Sequence, residues 1–310
     1  MAALFIFMTD NTSDSQYVGR FAPSPSGPLH MGSLVAAVAS YLDARSHKGQ
    51  WLMRMEDLDP PRETQEAADQ ILFALDACHL HWDGKVLYQS QRYPAYQEAI
   101  TDLQQQSLVF ACDCSRQQIQ EAGGVYPGTC RERKFQESET ALRCKVPDEI
   151  IRFEDRIQGI QSQNLAMEVG DFVIRRKDGL YAYQLAVVVD DAFQQVTHIV
   201  RGIDLLDSTT RQIYLQRMLK LNEPAYAHIP VIVNNQGQKL SKQHMAIPIE
   251  TEHPDHISAL LVASLEYLGM SPDSELSMES PQQILAWGVE HWNPANLQNQ
   301  TELSEKELPV

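Results

Sequence analysis

The sequence predicts an α/β protein built on a parallel sheet covered by helices. Three observations carry that expectation. Strand and helix signals alternate through the first half of the chain. A short apolar run, Tyr17 to Phe21, passes through a turn rich in Pro, Ser and Gly into an apolar run of helical length, Met31 to about Ala44. Further on, a strand at Ile229 to Val233 enters the turn Asn234-Asn235-Gln236-Gly237 and then Lys239-Leu240-Ser241-Lys242.

The first turn cannot be helical before Pro28, and Leu34, Val35, Val38, Tyr41 and Leu42 are then available to pack. Strand, glycine-bearing turn, helix is the arrangement that points backbone N–H groups at an anion. An ordinary connection is the plain alternative, and His30-Met31-Gly32 alone would not exclude it. Gln50 to Met55 reads as a short strand, stopped by Glu56-Asp57-Leu58-Asp59-Pro60-Pro61. Thr64 to Ala77 places Ala67, Ile71, Leu72 and Leu75 at helical spacing. Tyr93 to Gln106 is a further helix and Leu108 to Ala111 a strand.

In the second half, Tyr181 to Asp191 is long and apolar with paired acids at its end. His198 to Leu206 is a strand running into Arg201, Gly202 and Asp204. Arg211 to Leu221 is an amphipathic helix with Ile213, Leu215, Met218 and Leu219 inward. Two lysines around a serine on a turn-initiated loop can track a triphosphate as it moves. Standing alone, that loop would be an exposed lysine turn.

At 310 residues the chain can bury a sizeable core, and 43% hydrophobic with 21% charged residues describes a soluble globular protein. No apolar run approaches the ~20 residues needed to cross a bilayer, so no membrane partner is expected. Residues 1–16 read as a disordered tail. Met1 to Met8 is apolar but lacks a basic start and a cleavage site, so it reads as a disordered tail or a misassigned start, with Met8 the candidate initiator, rather than as a signal peptide. The net charge of −16 argues mildly against a nucleic-acid partner. It is unevenly spread: ten acids against Lys306 alone from residue 251 onward, but a nearly balanced stretch from Arg131 to Lys177. That stretch is either a solvated surface or a local basic face.

Five cysteines with no export signal point to a reducing compartment, the cytoplasm. Cys78 falls in a helix's apolar register. Cys112-Asp113-Cys114, a Gly123-Gly124 turn and Tyr126-Pro127-Gly128-Thr129-Cys130 bring three thiols into a short span, which suggests a structural zinc site. Such a site wants four ligands, and the residues leave the fourth open. Tyr126 is an unusual ligand, Cys144 lies across a charged segment, and inert thiols are the alternative.

Taken together, the motifs resemble the catalytic core of class I aminoacyl-tRNA synthetases of the glutamate/glutamine branch, over roughly Tyr17 to Pro248. His30-Met31-Gly32-Ser33 stands where that class has its HIGH motif, and Lys239-Leu240-Ser241-Lys242-Gln243 where it has KMSKS. Arg20-Phe21-Ala22-Pro23-Ser24, Arg54-Met55-Glu56-Asp57 and Val200-Arg201-Gly202-Ile203-Asp204 match the amino-acid-site segments. Ser208 and Thr210 depart from the Asn and Pro usual nearby. Only 68 residues follow Lys242, and the expectation is that no anticodon-binding domain is present. That shortened plan, with Cys112, Cys114, Tyr126 and Cys130, resembles the glutamyl-queuosine tRNA(Asp) synthetase family, whose zinc set includes a tyrosine. The resemblance, not the spacing, implies Tyr126 as the fourth ligand.

The resemblance implies an α/β, Rossmann-type parallel-sheet catalytic core with a zinc-bearing insertion and a short helical C-terminal region. Residues 17–107 would be the first half of the core and 108–178 the insertion with an acceptor-type subdomain. Residues 179–250 would be the second half with the lysine loop, and 251–310 a short acidic, partly helical end. ATP would lie over the first helix on His30, Gly32, Ser33 and Lys242, with His30, Lys239 and Lys242 catalytic and Mg²⁺ riding on ATP. Arg20 and Arg201 would hold the two carboxylates of L-glutamate and Glu56 its ammonium. Phe21, Ala22, Pro23, Ser24 and Tyr183 would complete that pocket. One structural Zn²⁺ is implied. Glutamyl-adenylate would form without tRNA, and a monomer would transfer glutamate to queuosine in the anticodon arm of tRNA(Asp). The alternatives are a short glutamyl-tRNA synthetase acting on a tRNA 3′ end, a ligase using a non-RNA acceptor, and a non-catalytic RNA-binding relic.

Overall fold

The computed structural model describes residues 16–60, 62–133, 140–234, 236, 237, 249 and 253–305. Residues 1–15 of the tail expected over 1–16, and the lysines Lys239 and Lys242, lie outside the described residues. In chain order the first elements are β1 (Val18–Phe21), α1 (Met31–Ser46), β2 (Gln50–Met55), α2 (Gln65–Ala77), β3 (Leu87–Tyr88) and α3 (Tyr93–Gln105). Next come β4 (Val109–Cys112), α4 (Arg116–Glu121), β5 (Ala141–Cys144), β6 (Ile150–Asp155), β7 (Gly159–Asn164), α5 (Leu165–Glu168) and β8 (Phe172–Arg175). The last are α6 (Tyr183–Phe193), β9 (His198–Gly202), α7 (Leu206–Met218), β10 (Ala225–Ile229), β11 (Val231–Val233), α8 (Pro254–Tyr267), α9 (Pro281–His291) and β12 (Glu302–Ser304).

Local chemistry explains the boundaries. Thr64 caps α2 by accepting from Ala67 N–H, and His30 caps α1 by accepting from Ser33 N–H. Gly27 supplies the positive φ, 144°, of the turn between β1 and α1. The strand expected over Ile229 to Val233 is split between β10 and β11, because Pro230 has no N–H to give a ladder. The strand expected to reach Leu206 ends at Gly202, and the following helix begins at Leu206 rather than Arg211. The apolar run ending in paired acids is helix α6.

β1, β2 and β3 form one parallel sheet. β9, β10 and β6 pair in parallel in a second, with β7 antiparallel at its edge. The two sheets meet at β1, where Thr197 N–H donates to Val18 O (2.9 Å) and Val18 N–H donates to Thr197 Oγ1 (2.9 Å). From β1 the chain moves out to β2, and from β9 it moves out the other way to β10. That divergence is the switch point at which open α/β sheets hold ligands, beyond the strands' carboxyl ends.

Helix α1 is sealed over β1 and β2 by Leu34, Val35, Val38 and Leu42. The C-terminal helices close its other side with Ile257, Leu261, Leu265, Ile284 and Leu285, all in the same buried cluster. One buried carboxylate ties these layers. Asp43 of α1 accepts from Tyr17 OH, from Arg156 NH1 (2.6 Å) and from Trp292 Nε1 (2.8 Å). The C-terminal region is not purely helical: β12 runs parallel to β11. β4, β5 and β8 form a separate antiparallel sheet beside the cysteines. No described helix is long and apolar enough to cross a membrane.

Candidate active site

A cavity of about 1110 Å³ opens at the switch point. Its floor comes from the end of β1 (Arg20, Phe21), the turn after it (Ala22, Ser24), the end of β2 (Glu56) and the end of β9 (Arg201, Gly202). Tyr183, the first residue of α6, closes one side. Glu56 N–H donates to Pro23 O (3.0 Å), which fixes the β2 end against the β1 turn.

Two kinds of buried arginine occur at this site. Arg20 and Arg54 are both bound to Asp191: Arg20 Nε donates to Oδ1 at 3.2 Å and Arg54 NH1 at 2.8 Å. Arg54 also donates to Gln194 Oε1 (2.9 Å) and Glu56 Oε1 (3.3 Å). Two cations and two carboxylates therefore cancel. Burial pushes the Glu56 carboxyl up, against the pull of Arg54 and Arg20. Burial also disfavours the Asp191 charge, but the two arginines more than offset it and hold its carboxyl low.

Arg201, 5% exposed, has only neutral partners. Its Nε donates to His228 Nε2 (3.0 Å), NH1 to Tyr183 OH (3.4 Å), and NH2 to Thr209 Oγ1 (2.9 Å) and Leu205 O (3.4 Å). It forms no ion pair among the described residues. A buried charge without a counter-ion is costly, and an anion entering the cavity would relieve that cost. The group Arg20, Arg54, Arg201, Glu56 and Asp191 carries one net positive charge, and an acidic amino acid carries one net negative charge.

A second cavity, about 260 Å³, adjoins the first and shares Phe21, Ser24, Ala36 and Gly202 with it. It is lined by His30, Gly32 and Ser33 at the start of α1 and by Val231 and Ile232 of β11. Ser33 Oγ lies 3.0 Å from His30 Nε2. The structure thus brings Arg20, Phe21, Ala22, Ser24, Glu56, Tyr183 and Arg201 to one cavity, and His30, Gly32, Ser33 and Pro23 to its neighbour.

The cysteine group lies beside the larger cavity, which Cys114, Arg116 and Arg143 also line. The Sγ atoms of Cys112, Cys114 and Cys130 fall within 4.8 Å of one another. Tyr126 OH lies 3.5 Å from Cys112 Sγ and accepts from Cys130 N–H at 2.9 Å. Gly170, at φ 71°, lets this segment approach: a Cβ there would sit 2.6 Å from Tyr126 O. Cys144 belongs to a different buried cluster, and burial pushes its thiol, like that of Cys78, up to about 12. Three thiols this close could hold a metal ion, with the Tyr126 hydroxyl beside them. Within the basic stretch Arg131 pairs with Asp171 and Arg176 with Asp178, while Arg156 pairs with Asp43 of α1.

Several residues of the site escape a reading of the sequence. Asp191 stood in the paired acids, a visible signal with no role attached. Asp155 and His228, which back Arg201, lie on separate strands, and nothing in their local sequence marks them.

The fold and paired cavities define a class I synthetase core, and the comparisons agree. The description "tRNA synthetases class I (E and Q), catalytic domain" matches residues 16–293. The chain is 51% identical over 296 residues to a glutamyl-Q tRNA(Asp) synthetase of Pseudomonas putida, covering 96% of this chain and 98% of that one. It is 52% identical over 301 residues to the protein of that name from Pseudomonas fluorescens, covering 97% and 100%. The chain belongs to the glutamyl-Q tRNA(Asp) synthetase family. Its fold is also that of a glutamate tRNA ligase from Elizabethkingia meningosepticum, solved with its amino acid (TM-score 0.75, 22% identity, 93% of this chain and 67% of that one).

Proposed function

We propose that the chain is an ATP-dependent ligase that activates L-glutamate to glutamyl-adenylate without tRNA and passes glutamate to queuosine at the wobble position of tRNA(Asp). The observation that carries this reading is the charge of Arg201, without a counter-ion among the described residues, in a cavity that Arg20 and Glu56 also line and that adjoins the His30 pocket. Arg20 and Arg201 hold the two carboxylates of glutamate, Glu56 its ammonium, and Ser24 and Tyr183 add hydrogen bonds. ATP lies on His30, Gly32 and Ser33. A glutamate carboxylate oxygen attacks the α-phosphorus and pyrophosphate leaves. The protein contributes position and charge stabilisation, with Lys239, Lys242 and ATP-borne Mg²⁺ neutralising the phosphates.

Cys112, Cys114, Tyr126 and Cys130 would hold one Zn²⁺, which supplies rigidity to the segment beside the cavity mouth. Residues 108–178 then form the insertion that guides the RNA. The queuosine diol resembles the ribose diol that ordinary synthetases acylate, so the anticodon arm can present it to the adenylate.

The test is ATP–pyrophosphate exchange with glutamate in the absence of RNA, followed by transfer of labelled glutamate to tRNA(Asp) carrying queuosine or unmodified guanosine. Exchange, and label only on the queuosine form, is expected. Equal labelling, or label on the 3′-terminal adenosine, would make the chain a short glutamyl-tRNA synthetase. Exchange with no labelled tRNA would favour a non-RNA acceptor.

A further inference from the structure

Arg201 is aimed by a buried relay whose residues do not line the cavity. His228, on β10, is 0% exposed, and Asp155, at the end of β6, is 2% exposed. His228 Nδ1 lies 2.6 Å from Asp155 Oδ2, and its Nε2 lies 3.0 Å from Arg201 Nε. Arg201 can only donate, so Nε2 must accept and the ring proton must sit on Nδ1, facing Asp155. Asp155 is fixed in turn: its Oδ1 accepts from Ile157 N–H (3.0 Å), Gln158 N–H (2.8 Å) and His228 N–H (3.1 Å). Burial, against the pull of Asp155, lowers the imidazole to about 4, which keeps it neutral and able to accept at neutral pH.

We propose that Asp155 and His228 are positioning residues for the glutamate site: Asp155 selects the His228 tautomer, and His228 holds the Arg201 guanidinium edge toward the substrate carboxylate. This rests on the reading of Arg201 as a glutamate ligand. A neutral acceptor serves where a carboxylate would not. Asp191 already offsets Arg20 and Arg54, so a further carboxylate against Arg201 Nε would leave the arginine group without the net positive charge that the substrate requires. The histidine orients the cation and leaves its charge available.

The tautomer makes the inference testable by near-isosteric changes. In Asp155→Asn the side-chain oxygen can still accept from the backbone N–H groups. Its amide then donates toward Nδ1, the proton moves to Nε2, and two N–H groups face each other at Arg201. His228→Gln keeps an acceptor for Arg201, whereas His228→Leu removes it.

The experiment is tRNA-independent ATP–pyrophosphate exchange, with KM for glutamate and for ATP measured on wild type and the three variants. Asp155→Asn and His228→Leu should raise the glutamate KM about 10- to 100-fold, the range expected for losing a hydrogen bond to a charged group. The ATP KM should stay within about twofold, and His228→Gln should recover much of the loss. Glutamate KM unchanged in Asp155→Asn and His228→Leu would overturn the relay. Equal rises for both substrates, without recovery in His228→Gln, would overturn it in favour of a structural role. Absence of exchange in wild type would instead strike the reading of the site as a glutamate-activating centre.

Discussion

The two flanks of the candidate amino-acid site solve opposite problems with the same side chain. On the β1–β2 flank, Arg20 and Arg54 are matched by Asp191 and Glu56. On the β9 flank, Arg201 is buried among a histidine, a tyrosine, a threonine and a carbonyl. A compensated cluster stabilises a fold by what it would cost to break. An uncompensated cation is tolerated only if something arrives to match it. The difference separates arginines already offset by carboxylates of the protein from one for which the protein supplies no direct counter-ion among the described residues.

Stability should therefore respond in opposite directions on the two flanks, and this is the largest effect expected. Arg54→Met leaves Asp191 and Glu56 buried with less compensation and should cost about 3–5 kcal/mol in denaturant unfolding. Arg201→Met removes a charge with no counter-ion among the described residues and should leave the unliganded protein as stable or more so. A large loss in Arg201→Met would mean that its neutral partners suffice and that the contrast is false.

The relay behind Arg201 gives a pH signature of slightly smaller size. In the unfolded chain His228 takes up a proton near 6.5, but in the fold only at about 4. Between those values the unfolded state binds more protons, so stability rises with pH there. The contribution is complete above about pH 6.5 and is lost as pH falls toward 4, up to about 3 kcal/mol in all. His228→Gln should flatten unfolding free energy against pH over that window. An unchanged curve would show that His228 is not held neutral.

Glu56 sharpens the comparison from the compensated side. Glu56→Gln keeps the shape but removes the charge proposed to meet the ammonium, and should raise the glutamate KM about 10- to 100-fold. Because burial raises the Glu56 carboxyl, glutamate binding by wild type should also weaken as pH falls through that raised value, by protonation of the carboxylate. A pH-independent KM in the acid range would place the ammonium elsewhere.

How much of this was legible in the sequence follows from locality. β2 was read to the residue, and α2 within one, because a cap, an apolar repeat and a proline stop all lie within a few residues of the element. Arg20, Glu56 and Arg201 were visible as charged residues at strand ends within recognisable segments. What the sequence hid is pairing. The match of Asp191 to Arg54 spans 137 positions, and that of Asp155 to His228 spans 73. Whether a buried arginine is already neutralised depends on such distant partners, so the distinction between Arg54 and Arg201 exists only in the fold.

Glutamate binding to the free protein, without ATP or RNA, tests the account most directly. Titration calorimetry on wild type and Arg201→Gln should show affinity falling at least about 100-fold, the scale of an unmatched buried charge pair. The variant's thermal midpoint should be no lower than that of wild type. Equal affinity in the two proteins would contradict the assignment of Arg201 as the charge that receives glutamate.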